Sequence, residues 1–119
     1  MQHVVPALRI TNYEQSKPFY VDGLGFRIDW EHRFEPHLPI FLQITRDNLT
    51  IYLSEHSGDC QVGGLVHFFV PSVDAWYQEL QQKGVAITEP LSESLPQLRS
   101  MTVTDPDGNQ IRILTPLPQ

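Results

Sequence analysis

One cysteine, Cys60, is all the chain contains, so no disulfide can close within it, and a reducing compartment is the simplest setting. Nothing near the start reads as a signal peptide, which adds to the expectation of a cytoplasmic protein. Long apolar runs are missing as well. The stretch from Leu65 to Val70, interrupted by His67, falls far short of the roughly 18 residues that would suggest a membrane span. Positive charge is scarce: 8 lysines and arginines face 14 aspartates and glutamates, a net charge of −6. This disfavours nucleic acid and membrane as partners and favours a cationic small molecule. The charges are spread along the chain, so they bias the choice of partner without marking a site. The short signatures of common chemistries are also absent. There is no His-Glu-x-x-His, no Cys-x-x-Cys and no glycine-rich phosphate loop, and Cys60 has no plausible base beside it.

What is present suits one globular domain over residues 1–119, since 40% of the residues are hydrophobic and only 18% are charged. A chain of this size buries about two thirds of its unfolded surface, so its stability is modest and an oligomer would help.

The chain is an internal duplication. A shift of 60 places Val5, Leu8 and Ile10 on Leu65, Phe68 and Val70, and Asp47, Ile51 and Leu53 on Asp107, Ile111 and Ile113. Repeat 1 spans about 1–58 and repeat 2 about 63–116. Within repeat 1, Val4 to Ile10 reads as a strand and Asn12, with Gln15 three residues on, as a helix cap. The helix carries Phe19 and Tyr20 to the core and stops at Gly23 and Gly25; Pro18 either bends it or delays its start. Strands follow at about Phe26 to Phe34, Ile40 to Thr45 and Leu49 to Ser54. Repeat 2 has the same order: a strand from Leu65 to Val70, a helix capped by Ser72 with Val73, Trp76, Tyr77 and Leu80 as its buried stripe, and strands at Ala86 to Thr88, Leu98 to Thr104 and Gln110 to Leu114. Asp105-Pro106-Asp107-Gly108 reads as a plain turn. Cys60 to Gly64 reads as the linker, and Glu89 to Pro96 as a mobile loop.

Leu8-Arg9-Ile10-Thr11-Asn12 with Ser16, then Phe19-Tyr20, Leu24-Gly25-Phe26 and Asp105-Pro106-Asp107-Gly108-Asn109 carry a family resemblance over nearly the whole chain. The pattern resembles the vicinal oxygen chelate superfamily, which includes glyoxalase I, extradiol dioxygenases and bleomycin resistance proteins. The resemblance implies an α+β fold of two βαβββ repeats, each sheet curling into a half-open cup, with paired units enclosing a cavity in a homodimer. In catalytic members of that family a divalent metal sits in the cup, held by a His or Gln from each first strand and a Glu from each last strand. The corresponding positions here are Val5, Tyr52, Leu65 and Arg112, which make no metal site. No catalytic residue, metal or other cofactor is therefore expected.

Strand alternation turns Val5, Ala7, Arg9, Leu65, His67 and Phe69 towards the cup, along with Thr50, Tyr52 and Ser54, and Gln110, Arg112 and Leu114. Phe69 beside His67 and Tyr52 would give a hydrophobic cavity with a few polar handles. The densest aromatic cluster is Trp30-Glu31-His32-Arg33-Phe34. In a strand Trp30, His32 and Phe34 share one face and can stack on a flat ligand, whereas Trp30 can equally continue the buried stripe of Phe26 and Ile28. His32 and His37 also read as residues of a solvated loop around Pro36.

The cluster around Trp30, together with Leu53-Ser54-Glu55-His56 and Ser57-Gly58-Asp59, looks like the bleomycin resistance subgroup. The resemblance implies a non-catalytic protein that sequesters a cationic, aromatic antibiotic in grooves at a homodimer interface. The expected ligand-binding residues are Trp30, Phe34 and Phe69 for stacking and His32, Tyr52, His67 and Arg112 for polar contacts, with closure by the loop from Glu89 to Leu98. Arg112 leaves two readings, pairing with an acidic neighbour such as Glu31 or contact with an anionic part of the ligand. The alternatives are a metal-dependent lyase or dioxygenase that uses a displaced set, His67 with His3, His32, Glu31 or Glu55, and a binder of another metabolite.

Overall fold

Asn12 and Ser72 each stand in extended backbone and accept a hydrogen bond from the amide three residues on, at 3.4 and 3.2 Å, so the two helices start where their caps place them. In the computed structural model, which describes residues 2–118, the first half contains β1 (Ala7–Arg9), α1 (Tyr13–Lys17), β2 (Arg27–His32), β3 (Phe41–Arg46) and β4 (Leu49–Ser54). The second contains β5 (Leu65–Phe69), α2 (Val73–Gln82), β6 (Ile87–Ser92), β7 (Leu98–Thr104) and β8 (Gln110–Pro116). Each half forms one four-stranded sheet, ordered β1-β4-β3-β2 and β5-β8-β7-β6, with its first strand parallel to its last. This is the α+β arrangement of two βαβββ repeats. No helix among the described residues is long and apolar enough to cross a membrane.

Pro18 neither delays the first helix nor simply bends it. It opens a π-helical turn over Pro18–Gly23, which absorbs the missing donor by closing wider rings such as Leu24 N–H to Phe19 O at 2.9 Å. Two residues past the turn stands Gly25, whose φ of +79° suits glycine, and a side chain there would also press on Arg46 Nη1.

Several boundaries differ from the sequence reading: β2 stops at His32, short of Phe34, β8 runs on to Pro116, and two others have a clear cause. β1 is only three residues long, because Val4 to Pro6 runs beside β4 through a single Tyr52 N–H to Pro6 O bond. Of the segment Glu89 to Pro96, expected as a loop, Glu89 to Ser92 instead belong to the outer strand β6, and the residues from 93 to 97 lie outside any strand. The strand passes through Pro90 because its pairing with β7 is irregular and Pro needs no partner at a sheet edge.

The helix-side face of both sheets is the core. Leu8, Ile51, Leu53, Phe68, Ile111 and Ile113 alternate out of the strands into it and are almost fully buried. The two halves are fastened to each other there. Phe26 meets Phe68 at 5.7 Å, and Tyr20 Oη donates to Asp105 Oδ2 at 2.6 Å. Burial, and then the charge of Asp105, push the Tyr20 hydroxyl well above its ordinary pKa. Arg46 lies 3.7 Å over the Trp76 ring and holds both carboxylate oxygens of Glu79 at 2.8 and 2.9 Å. Asp105-Pro106-Asp107-Gly108 is a turn, and it also clamps the halves. Thr11 N–H donates to Asp107 at 3.0 Å, and the buried Asn109 donates to Arg9 O at 2.7 Å.

Candidate functional site

Because the helices cover one face of each sheet, the opposite faces are left open. The alternation that buries Leu8 and Phe68 exposes Ala7, Leu65, His67 and Phe69 on that open side. Two residues expected there share that face by register, Ser54 beside Arg9 and Leu114 beside Phe69, but are buried and offer no open surface. Ser54 Oγ donates to Asp59 Oδ2 at 2.6 Å, so it positions a loop carboxylate.

The first cup is aromatic. Trp30, Gln43, Tyr52 and Ala7 form one row across β2, β3, β4 and β1, and His32, Phe41, Ser54 and Arg9 form the next. The ring of Trp30 lies 5.9 Å from Phe41 at 23° and 5.9 Å from Tyr52, while Phe41 and Tyr52 are 5.0 Å apart. Trp30 faces the cup and leaves the stripe of Phe26 and Ile28, because the strand bulges between Ile28 and Trp30. One inserted residue, Asp29, changes the parity, so Ile28 sits opposite core residue Ile44 while Trp30 sits opposite Gln43. The carboxylate of Asp29 accepts from Thr45 Oγ1 and from Gln43 Nε2 at 2.9 Å, and these bonds hold its pKa below the ordinary value.

Beside this row, Trp30, His32, Phe34, Phe41, His56 and Asp59 line a groove of about 360 Å³. Phe34 lies beyond the end of β2, yet its ring meets His32 edge-on at 4.7 Å and His56 at 6.2 Å. Phe41, His56 and Asp59 were missed as site residues in the sequence. Phe41 carried a signal, since it alternates with buried Ile40, Leu42 and Ile44. His56 and Asp59 lie in a loop with no periodicity to read.

His67, Phe69 and Arg112 do not join this groove. His67 and Phe69 border a depression with Gln2, Asp47, Leu49 and Thr50, while Arg112 lies in another with Glu89, Ser92, Ser100 and Thr102. Arg112 does not pair with Glu31, whose carboxylate accepts from Tyr13 Oη at 2.8 Å. Burial and that acidic partner raise the Tyr13 hydroxyl far above its usual range. Arg112 instead touches Glu89 at 3.6 Å, His67 Nε2 at 3.3 Å and Thr102 Oγ1 at 3.4 Å.

These neighbours do not fit a metal. A guanidinium occupies the space beside the one imidazole of the row, and Glu55 is consumed by the amides of Tyr13 and Ile40 at 2.9 and 3.0 Å. Among the described residues no group of three His, Cys, Asp or Glu side chains is placed to hold a metal ion.

Residues 1–116 match a family model described as glyoxalase superfamily protein. Among solved structures, the chain is similar to TnmS3, an antibiotic binding protein from Streptomyces sp. CB03234, at 26% identity and a TM-score of 0.76, covering 98% of this chain and 97% of that one. It is similar to TioX from Micromonospora sp. ML1 at 21% identity and a TM-score of 0.78, with 98% and 100% covered. A member of the glyoxalase/bleomycin resistance protein/dioxygenase superfamily from Sphaerobacter thermophilus DSM 20745 is similar at 24% identity and a TM-score of 0.72, with 97% and 98% covered. A search of curated proteins finds no match.

Proposed function

This chain belongs to the glyoxalase superfamily, and from that premise we propose that it is a non-catalytic protein that binds a planar, cationic aromatic molecule, sequestering an antibiotic of the bleomycin type. The observation that carries this reading is the aromatic wall of Trp30, Phe41 and Tyr52 on an open sheet face, with Phe34 and His32 at its margin. A flat ligand stacks on such rings for about 0.5 to 1.5 kcal/mol per good pair. Asp59 supplies a carboxylate at the same groove, and the net charge of −6 draws a cation towards it. The likeness to TnmS3, an antibiotic binding protein, supports the ligand class. The donor set around His67 and Arg112 gives the metal-dependent alternative no support.

Sequestration requires affinity and no chemistry, and a micromolar Kd corresponds to about −8 kcal/mol. The protein acts in the cytoplasm as a homodimer. Leu65 and Phe69 leave apolar surface exposed on the open face of β5, 48% and 56% of each residue, and a second copy would cover it. Calorimetric titration with bleomycin and a small panel of flat aromatic cations tests the reading. Micromolar affinity that weakens by about tenfold in Trp30→Ala supports it. No heat with bleomycin at high micromolar concentration overturns the bleomycin assignment, and no heat with any member overturns the binding role. Stoichiometric divalent metal by elemental analysis would contradict the non-catalytic reading.

A further inference from the structure

The repeat relates the two cups position by position, and their chemistry is opposite. The row Trp30, Gln43, Tyr52 and Ala7 of the first sheet corresponds to Glu89, Thr102, Arg112 and His67 of the second, and both rows follow a register shift in the outer strand. Where the first cup has a wall of rings, the second has a guanidinium at half-buried depth. Arg112 carries five N–H donors, yet its contacts with Thr102, His67 and Glu89 all lie between 3.3 and 3.6 Å. None is the short, paired geometry a guanidinium makes with a committed carboxylate, typically about 2.7–2.9 Å. Arg46 elsewhere in this chain does make that geometry, with Glu79.

Glu89 is a loose counter-ion. Its side chain is 62% exposed, and it stands on the irregular outer strand next to Pro90. The depression of about 190 Å³ that Arg112 shares with Ser92, Ser94, Ser100 and Thr102 offers hydroxyls beside the charge and is large enough for a small polar group. His67 Nε2 faces the guanidinium, which can only donate, and this single contact leaves the remaining Arg112 donors to another partner.

We propose that Arg112, with Thr102, is a subsite for a negatively charged oxygen of the ligand, a carboxylate or enolate, which displaces Glu89. The proposal rests on the binding role stated above, with the aromatic cup of one protomer and the polar cup of its partner walling the same groove. The ligand is then a flat ring system that carries positive charge at the Asp59 end and an oxyanion at the Arg112 end. Such a partner uses both cups, and a simple aromatic cation uses one.

The test is a matched pair of flat cations, an aminoacridine carboxylic acid and its carboxamide, titrated by fluorescence into wild type, Arg112→Gln, Glu89→Gln and Trp30→Ala. The expected result is at least tenfold preference for the acid in wild type, abolished in Arg112→Gln and increased in Glu89→Gln. Trp30→Ala weakens both probes alike. Equal binding of acid and amide by wild type, or a preference that survives Arg112→Gln, overturns the subsite while leaving the aromatic reading intact, provided Trp30→Ala still weakens both. Binding of neither probe to wild type overturns both. Thermal unfolding of Arg112→Gln separates a misfolded variant from one that has lost the subsite. If that variant does not fold, the acid preference of wild type and its rise in Glu89→Gln decide the matter.

Discussion

Trp30 stacks on Phe41 with ring centroids 5.9 Å apart and planes inclined by 23°, on the face of the sheet that no helix covers. A cross-strand aromatic pair of this kind ordinarily helps hold a sheet together. Here Trp30 keeps 42% of its surface exposed, which makes the pair a platform as much as a fastening. Its position depends on one inserted residue, Asp29, without which the indole would point into the core with Ile28.

Replacing Trp30 with alanine removes the largest ring of that platform. Binding of a flat aromatic ligand is expected to weaken by about tenfold, consistent with roughly 1 to 1.5 kcal/mol for one stacking pair. The unfolding midpoint should shift little, because the side chain is half exposed and borders no cavity in the core. Titration calorimetry and a urea melt of the same variant separate the two effects.

Arg46 bridges the halves through Glu79, Trp76 and the carbonyl of Leu24, to which it donates at 2.7 Å. Arg46→Ala is expected to lower stability by about 1 to 3 kcal/mol, since a charge-assisted pair, a ring contact and a carbonyl lose their partner together. Measured unfolding free energy in urea checks this.

The same pair has a pH signature. Hydrogen bonds from Arg46 hold Glu79 below its ordinary 4.5, partly offset by burial and reinforced by Lys83. Because the folded pKa is the lower one, the contribution is complete above the unfolded value and is lost as the pH falls through the folded value. Glu79 remains about a third exposed, so the contribution is small. The stability gap between wild type and Glu79→Gln should be present at neutral pH and close in acid below about pH 4. A gap that is constant across that range would contradict the assignment.

Asn109 is fully buried and satisfies Arg9 O, Gly64 N–H and Asp105 with one side chain. Asn109→Ala takes this partner from Arg9 O and Gly64 N–H at the junction of the halves, while Asp105 keeps Tyr20 and two amides, and a loss of about 3 kcal/mol is expected. Hydrogen exchange should show protection falling at Gly64. Loss of protection confined to surface loops would contradict it.

Phe69→Glu is expected to dissociate the proposed homodimer without unfolding the chain, because the side chain faces solvent in a single copy. Light scattering after gel filtration reads the mass directly, and an unchanged mass would remove Phe69 from the interface.

Much of this architecture was legible in sequence because burial has a period of two in strands. The repeat shift and the alternation of Leu8, Phe68, Ile51 and Ile111 place the core and the open faces correctly. Trp30 was readable only as an even choice. The bulge that decides it is pinned by Asp29 reaching Gln43 and Thr45 on the next strand, a contact that local pattern does not carry. Asp59 joins the groove through Ser54, and Glu89 meets Arg112 because an edge strand tolerates Pro90. Both depend on pairing between distant segments. The expectation that His67 and Phe69 lie with Trp30 came from treating two sheets as one surface, whereas in the chain they border a separate depression with Leu49 and Thr50 of β4, away from the groove at Trp30.

The chain has two tryptophans, and they report opposite environments: Trp30 on the open face and Trp76 buried beneath Arg46. Indole N–H resonances recorded during titration with bleomycin or with a flat aromatic cation therefore test the central claim directly. The account predicts that the Trp30 signal moves and saturates while that of Trp76 stays in place. A saturating shift of Trp76 alone, or no shift of either signal at millimolar ligand, would contradict it.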